Sequence, residues 1–266
     1  MNVIDTVILG IVQGLTEFLP VSSSAHLVLV SNLLGLKKPE ILLDVSLHAG
    51  TLLAVCLFLR NDIWRMATEL LHGRFKGPYA CMAWMAVAAT IPTAAIGFAF
   101  KDRFEQMFAS VAAVGGLLIV TGFILLLPTL AEAIARKRRV TTARRTSVGL
   151  ATALTVGVAQ GLAIMPGISR SGSTMCAGLL CGLDREVAGR FSFLLSIPAI
   201  VGALVVQLHS KELAHVGVGP LLGGVAAAAV VGFLALGVAM RVIKQGRLYV
   251  FSPYCWAVGL AAILLS

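Results

Sequence analysis

The chain has 266 residues, of which 58% are hydrophobic and only 12% charged, and it carries a net charge of +9. Soluble globular domains hold roughly 25% charged residues, so composition argues against a soluble fold and for a single integral membrane domain spanning the whole chain. The positive balance, which in a soluble protein points to nucleic acid, is explained by the bias of Lys and Arg toward cytoplasmic membrane loops, and no nucleic acid is expected as a partner.

The chain opens Met1-Asn2-Val3-Ile4-Asp5, without the basic n-region of a secretory signal peptide, so no cleaved leader is expected. Residues 3 to 34 are the first apolar stretch, interrupted by the polar, proline-containing run EFLPVSSSAH from Glu17 to His26. Three spans follow at about 43 to 60, 80 to 99 and 109 to 131. Each is close to the roughly 20 helical residues that cross a ~30 Å hydrocarbon core. A second stretch, 148 to 182, is broken by PGISRSGST from Pro166 to Thr174, and three more spans are expected at about 190 to 208, 217 to 240 and 248 to 265. The five cysteines lie mostly in apolar segments without zinc-site spacings and read as packing residues.

Non-helical backbone at membrane depth survives only where protein or a water-filled cavity satisfies its N–H and C=O groups, so each broken stretch is expected to be a re-entrant pair of half-helices. The basic residues agree. With both stretches read as hairpins, 15 Lys and Arg fall on the cytoplasmic side, five (Lys37, Lys38, Lys101, Arg103, Lys211) on the other, and Arg170 stays in the second break. The two hairpins then enter from opposite sides. That arrangement is an inverted repeat, about 3–131 and 148–265, and an offset of 147 maps Gly10-Ile11-Val12-Gln13-Gly14-Leu15 onto Gly157-Val158-Ala159-Gln160-Gly161-Leu162. The same offset maps Ser22, Ser23 and Ser24 onto Ser169, Arg170 and Ser171. The expected fold is all-α: six transmembrane helices plus two re-entrant hairpins, about 3–34 and 148–182, whose breaks meet.

Ionisable groups inside a membrane are costly and mark function, and here they gather in the breaks: Glu17, His26 and Arg170. Gln13 and Glu17, four residues apart, share a helix face. Ser22, Ser23 and Ser24 stand where a second half-helix begins, so one of them is expected to cap it and His26 to lie in its first turn. Ser169, Ser171, Ser173 and Thr174 surround Arg170 at the start of another half-helix. Helix N-termini with an always-charged, bidentate Arg form an anion site, and a diphosphate fits it best. His48, near the entry of the first span, is open between a functional and a supporting role, and Asp44 beside it reads as a helix-end or supporting residue.

The strings QGLTEFLPVSSSAH (Gln13 to His26) and PGISRSGST (Pro166 to Thr174), with DVSLHAGT from Asp44 to Thr51, resemble the signature motifs of the bacitracin-resistance family of undecaprenyl-diphosphate phosphatases, and the resemblance runs along essentially the whole chain. It implies a multi-pass enzyme of the bacterial plasma membrane, active site toward the periplasm. Its reaction would cleave undecaprenyl diphosphate to the monophosphate and inorganic phosphate, recycling the lipid carrier of peptidoglycan synthesis. Glu17, Ser23, His26 and Arg170 match the proposed catalytic set. Gln13, Ser169 and Thr174 match further site positions, and Ser22, Ser24, Ser171 and Ser173 complete the expected substrate contacts. A divalent cation, Mg²⁺ or Ca²⁺, is implied, with Glu17 and Gln13 as its ligands. This chain has Gln13 where many members have Glu, and Ala25 where Gly is usual.

The mechanism expected is attack by Ser23 on the terminal phosphorus, with His26 moving the proton; direct attack by water is the alternative. Partners expected are the polyprenyl diphosphate, the bilayer and a second copy in a homodimer. An inverted-repeat transporter or flippase of a polyprenyl phosphate lipid is the alternative function.

Overall fold

A computed structural model of the protein describes residues 2–36, 41–108, 110–138, 144–208 and 217–266. Lys37, Lys38, Arg139 and Lys211, which enter the charge sorting above, lie outside the described residues. The order is α1 (Val3–Phe18), α2 (Ser23–Leu33), α3 (Ile41–Phe58), α4 (Arg60–Leu71), α5 (Pro78–Ala99), α6 (Lys101–Phe108), α7 (Val111–Lys137), α8 (Leu150–Leu162), α9 (Arg170–Leu180), α10 (Arg185–Leu208), α11 (Val218–Lys244) and α12 (Ser252–Leu264). A 3₁₀ turn, Leu248–Phe251, precedes α12. The only extended pairing among the described residues is an isolated bridge between Arg145 and Leu183.

Helices α5, α7, α10 and α11 are long and apolar enough to cross a membrane, and α3 with α4, bent by 73° at their junction, makes a fifth candidate. The segment at 248 to 265 is shorter and is divided between the 3₁₀ turn and α12. Large apolar side chains face outward along these helices, Phe123, Leu127 and Leu130 on α7 and Val230 and Leu234 on α11 among them. Water would leave such a surface unstable, whereas lipid tails cover it without cost.

Both broken stretches are helix–turn–helix hairpins, and local chemistry explains each break. Asn2 and Asp5 form a capping box that starts α1. Pro20 ends it, because the residue before proline is pushed out of the helical region, and Leu19 is extended at ψ 144°. Ser22, at φ +68°, is the only non-glycine with positive φ among the described residues, and its hydroxyl accepts from Ala25 N–H as the N-cap of α2. In the second hairpin Gly167 adopts φ +106°, a conformation other residues rarely take, and a Cβ there would strike the Val114 carbonyl of α7. Ser169 then caps α9 by accepting from Gly172 N–H.

Packing repeats the correspondence seen in the sequence. Helix α1 lies along α11, and α8 lies along α5. Gly10 and Gly14 bring α1 against the backbone of Gly224 and Ala228, while Gly157 and Gly161, the residues 147 further on, bring α8 against Ala89, Pro92 and Ile96. Small residues at membrane helix contacts let backbones approach closely enough for dispersion to hold them. Helices α7 and α12 pack on one another, with Gly115 and Gly259 facing across the contact.

Charged side chains tie the N-terminal end of α10 to its neighbours. Arg190 pairs with Asp62 of α4 at 2.6 Å and with Glu186 at 3.0 Å, Lys244 of α11 reaches Glu186 at 2.9 Å, and Glu132 of α7 receives both Arg144 and Arg185. The four basic residues of this network all belong to the side that the charge sorting calls cytoplasmic.

Candidate active site

The turns of the two hairpins meet, and Ser24 and Ser171, partners under the 147-residue offset, each bond the backbone of the other turn. Ser24 Oγ accepts from Gly167 N–H at 3.4 Å, and Ser171 Oγ donates to the Leu19 carbonyl at 3.1 Å. Within each turn the cap serine contacts the serine two residues on: Ser22 with Ser24, and Ser169 with Ser171, both at 3.2 Å. The first N–H groups of α2 and α9 have no carbonyl partner within their own helices and carry the positive ends of their dipoles to this junction.

Glu17, in the last turn of α1, is the centre of the junction. One carboxylate oxygen, Oε1, is paired with Arg170 Nη2 at the start of α9. The other, Oε2, accepts from Ser23 Oγ at 2.6 Å and from Gln13 Nε2 at 3.1 Å. Ser23 and Arg170 are 147 residues apart, each one residue past a cap serine, and both converge on the one carboxylate. An isolated carboxylate at this depth would be very costly; the guanidinium and two neutral donors offset that cost. A single Nη2 contact also leaves other donors of the Arg170 fork free for an anion.

These groups form one wall of a cavity of about 460 Å³. Glu17, Ser22, Ser23, Ser24, Ser169 and Arg170 line it. Phe98, Phe104 and Phe108 of α5 and α6 and Ile200 of α10 add apolar lining. Lys101 and Glu105 of α6 also line it. A cavity with both an anion-binding group and apolar lining suits a ligand with an anionic head and a hydrocarbon tail.

Several expected site residues lie behind this wall. Gln13, Ser171, Ser173 and Thr174 are buried and do not line the cavity. Thr174 contacts Ser192 of α10 at 2.5 Å, and Ser173 Oγ has no hydrogen-bond partner. His26 departs most from expectation. Its Nδ1 lies 2.8 Å from the Ser22 carbonyl and its Nε2 2.7 Å from Tyr254 Oη of α12, so both ring nitrogens are engaged away from Glu17 and Ser23. The histidine that lines the cavity is His48, whose Nε2 is 3.9 Å from Glu17 Oε2 and whose Nδ1 is 2.8 Å from the Asp44 carbonyl.

Further polar residues reach the site from long apolar helices. Thr121 of α7 donates to the Gly167 carbonyl at 2.8 Å and accepts from Ser169 N–H at 3.0 Å, which fixes the second turn. Thr93 of α5 donates toward the Ala89 and Gly157 carbonyls and accepts from Gln160 Nε2 at 3.3 Å. No short motif surrounds either threonine, so only their isolation within apolar runs marks them in the sequence.

Among the described residues no three His, Cys, Asp or Glu side chains converge as a cation cage. The donors present are the Glu17 carboxylate and Gln13 Oε1, which is buried without a partner. Gln13 Oε1 does not reach the cavity, so Glu17 is the carboxylate at the turns placed to meet an ion, which would complete its sphere with substrate phosphate and water, as Mg²⁺ does.

Residues 6–261 match the family model described as bacitracin resistance protein BacA. Among curated proteins the chain is similar to an undecaprenyl-diphosphatase of Desulfatibacillum aliphaticivorans, 43% identical over 281 residues, covering 100% of this chain and 99% of that protein. It is 44% identical over 274 residues to the undecaprenyl-diphosphatase of Desulfosudis oleivorans, covering 97% of each. The undecaprenyl-diphosphatase of Carboxydothermus hydrogenoformans is 41% identical over 271 residues, covering 100% of this chain and 98% of that protein.

Proposed function

The chain belongs to the bacitracin resistance protein BacA family, and we infer that it is an undecaprenyl-diphosphatase whose reaction takes place between the two hairpin turns, at Glu17, Ser23 and Arg170. It hydrolyses undecaprenyl diphosphate to undecaprenyl phosphate and inorganic phosphate. The observation that carries the site assignment is the sharing of one buried carboxylate between a serine hydroxyl and an arginine on the wall of a cavity with an apolar flank.

The diphosphate head binds to the free donors of Arg170 and to the N–H groups that begin α2 and α9, with Ser22, Ser24 and Ser169 beside it. The isoprenoid tail lies along Phe98, Phe104 and Phe108. Ser23 attacks the terminal phosphorus in line while Glu17 Oε2 takes its proton. The bond from phosphorus to the bridging oxygen breaks, and Glu17 returns the proton to the departing lipid phosphate. Phosphoryl transfer needs positioning and charge neutralisation above all, which Arg170 and the helix ends supply. Water then hydrolyses the phosphoserine. His26 supports the turn by bracing α2 against Tyr254, and Gln13 orients Glu17. Glu17, with Gln13 behind it, would hold Mg²⁺ or Ca²⁺ arriving with the substrate, and the ion would supply further neutralisation of phosphate charge.

The chain folds as six spans and two re-entrant hairpins in an inverted repeat. The matching contacts of α1 on α11 and α8 on α5, and the paired bonds between the turns, support this reading. The catalytic cavity faces the periplasm. In support, the ion-pair network of the basic side sits at the N-terminal end of α10, whereas the cavity lies against Pro198 to Ala203 further along and extends to Lys101 of α6. Phosphate release from undecaprenyl diphosphate by the purified protein tests the assignment: Arg170→Ala, assayed below its lowered melting temperature, abolishes it, and near-normal turnover would remove Arg170 from the site.

A further inference from the structure

His48 is the only histidine among the described residues that line the cavity, and it stands beside the carboxylate that the two hairpins share. Its Nδ1 lies 2.8 Å from the Asp44 carbonyl oxygen, one turn earlier on α3, and 3.6 Å from Asp44 Oδ1. A carbonyl only accepts, so Nδ1 carries a hydrogen, and in the neutral ring Nε2 presents a bare lone pair. That nitrogen is 3.9 Å from Glu17 Oε2, itself an acceptor.

Two acceptors facing one another need a positive centre between them, and the gap decides which kind. A proton shared by an imidazole and a carboxylate draws the two atoms to about 2.7–2.9 Å. Two ligands each about 2.0–2.2 Å from one metal ion stand roughly 3–4 Å apart, according to the angle they subtend. At 3.9 Å the pair lies in the second range. The surroundings agree. Histidines that bind metals almost always give their other ring N–H to a backbone carbonyl or a carboxylate, which fixes the tautomer, and Asp44 offers both. The His48 side chain is 26% exposed and lines the cavity, so an ion there reaches it, whereas Gln13 Oε1 is sealed off.

We propose that His48 Nε2 and Glu17 Oε2 are the two protein ligands of the divalent cation, and that the imidazole tunes the site to a first-row transition ion over Ca²⁺. This rests on the reading above, in which an ion arrives with the diphosphate at the turns. Phosphate oxygens and water complete the sphere, since among the described residues no third His, Cys, Asp or Glu joins the pair. On Glu17 Oε2 the ion displaces the longer hydrogen bond, 3.1 Å from Gln13, and leaves the 2.6 Å bond from Ser23 in place. Asp44 supports the ring from its far nitrogen and is not itself a ligand. Imidazole nitrogen suits transition ions, whereas Ca²⁺ takes oxygen ligands, which gives the selectivity its sign.

The test uses the full-length protein purified in detergent, with Mn²⁺ as the probe ion and methylenediphosphonate as a diphosphate that is not hydrolysed. Electron spin-echo modulation of the bound Mn²⁺ reports whether an imidazole nitrogen is attached. The parent is expected to show that nitrogen, and His48→Gln, which keeps the size of the side chain, is expected to lose it at matched melting temperature. In His48→Ala the Mn²⁺ affinity is expected to fall at least about tenfold, and the preference for Mn²⁺ over Ca²⁺ in competition to shrink with it. Bound Mn²⁺ without nitrogen modulation in the parent overturns the proposal. So does modulation that persists in His48→Gln, or a parent that binds no Mn²⁺ beside the diphosphonate. Phosphate release by Arg170→Ala, measured alongside, separates this proposal from the reading it rests on. Inactive Arg170→Ala beside a nitrogen-free Mn²⁺ site removes His48 alone, and active Arg170→Ala removes the diphosphate site itself.

Discussion

Ser23 Oγ donates a 2.6 Å hydrogen bond to Glu17 Oε2 across the turn between α1 and α2, so a hydroxyl and its proton acceptor are held by two helices of one hairpin. The other oxygen of that carboxylate holds Arg170 from the opposite hairpin. In the proposed reaction one side chain couples substrate binding to nucleophile activation, because a diphosphate drawing on Arg170 competes with the carboxylate that accepts from Ser23.

Glu17→Gln keeps the size and most hydrogen bonds but cannot take a proton. Its kcat for phosphate release is expected to fall by about 10²–10⁴. Glu17→Ala also strands the Arg170 guanidinium, at a cost of about 3–5 kcal/mol, and is expected to lower the melting temperature in detergent, which Glu17→Gln does far less.

Arg170→Lys retains the charge and loses the planar fork. With one charge-assisted hydrogen bond worth about 1.5–3 kcal/mol, kcat/KM is expected to fall about ten- to a hundredfold. Initial rates across substrate concentration give the answer.

Chelation by EDTA is expected to lower phosphate release, with Mg²⁺ restoring it. Gln13→Glu adds a second carboxylate and is expected to lower the Mg²⁺ concentration needed for half-maximal rate. A rate indifferent to both would remove the cation from the site.

The glycines of the repeat are tested by melting. A Cβ at Gly10 or Gly157 meets the carbonyl oxygen of Gly224 or Ala89, so Gly10→Ala and Gly157→Ala are each expected to cost about 1–3 kcal/mol. Gly116, on α7, has nothing within 4 Å of such an atom, and Gly116→Ala is expected to leave the melting temperature unchanged or raise it slightly.

Much of this is legible in the sequence because it is local. Pro20 ends α1, a serine of the run Ser22 to Ser24 caps α2, and the breaks hold Glu17, Ser23 and Arg170, since buried charge needs a partner and the partners lie in the same short runs. The amphipathic helices α4 and α6 escaped a reading built on long apolar windows. Thr93, Thr121 and Tyr254 reach Gly157 of α8, Gly167 of the second turn and His26 of α2 from other helices, 64, 46 and 228 residues away, and no local pattern announces such a reach. The exchange of His26 for His48 at the cavity has the same origin. His26 lies in the first turn of α2 and His48 well inside α3, and it is Tyr254 of α12 beside His26 that takes its ring while His48 faces Glu17.

The central claim is that Ser23, between Glu17 and Arg170, is the group that cleaves the diphosphate. Single-turnover release of inorganic phosphate from undecaprenyl diphosphate by Ser23→Ala, against the parent protein at matched folding, tests it most directly. The account predicts a loss of at least about a thousandfold, in the range that removal of a nucleophile and its proton transfer gives. Release within a fewfold of the parent rate would contradict it.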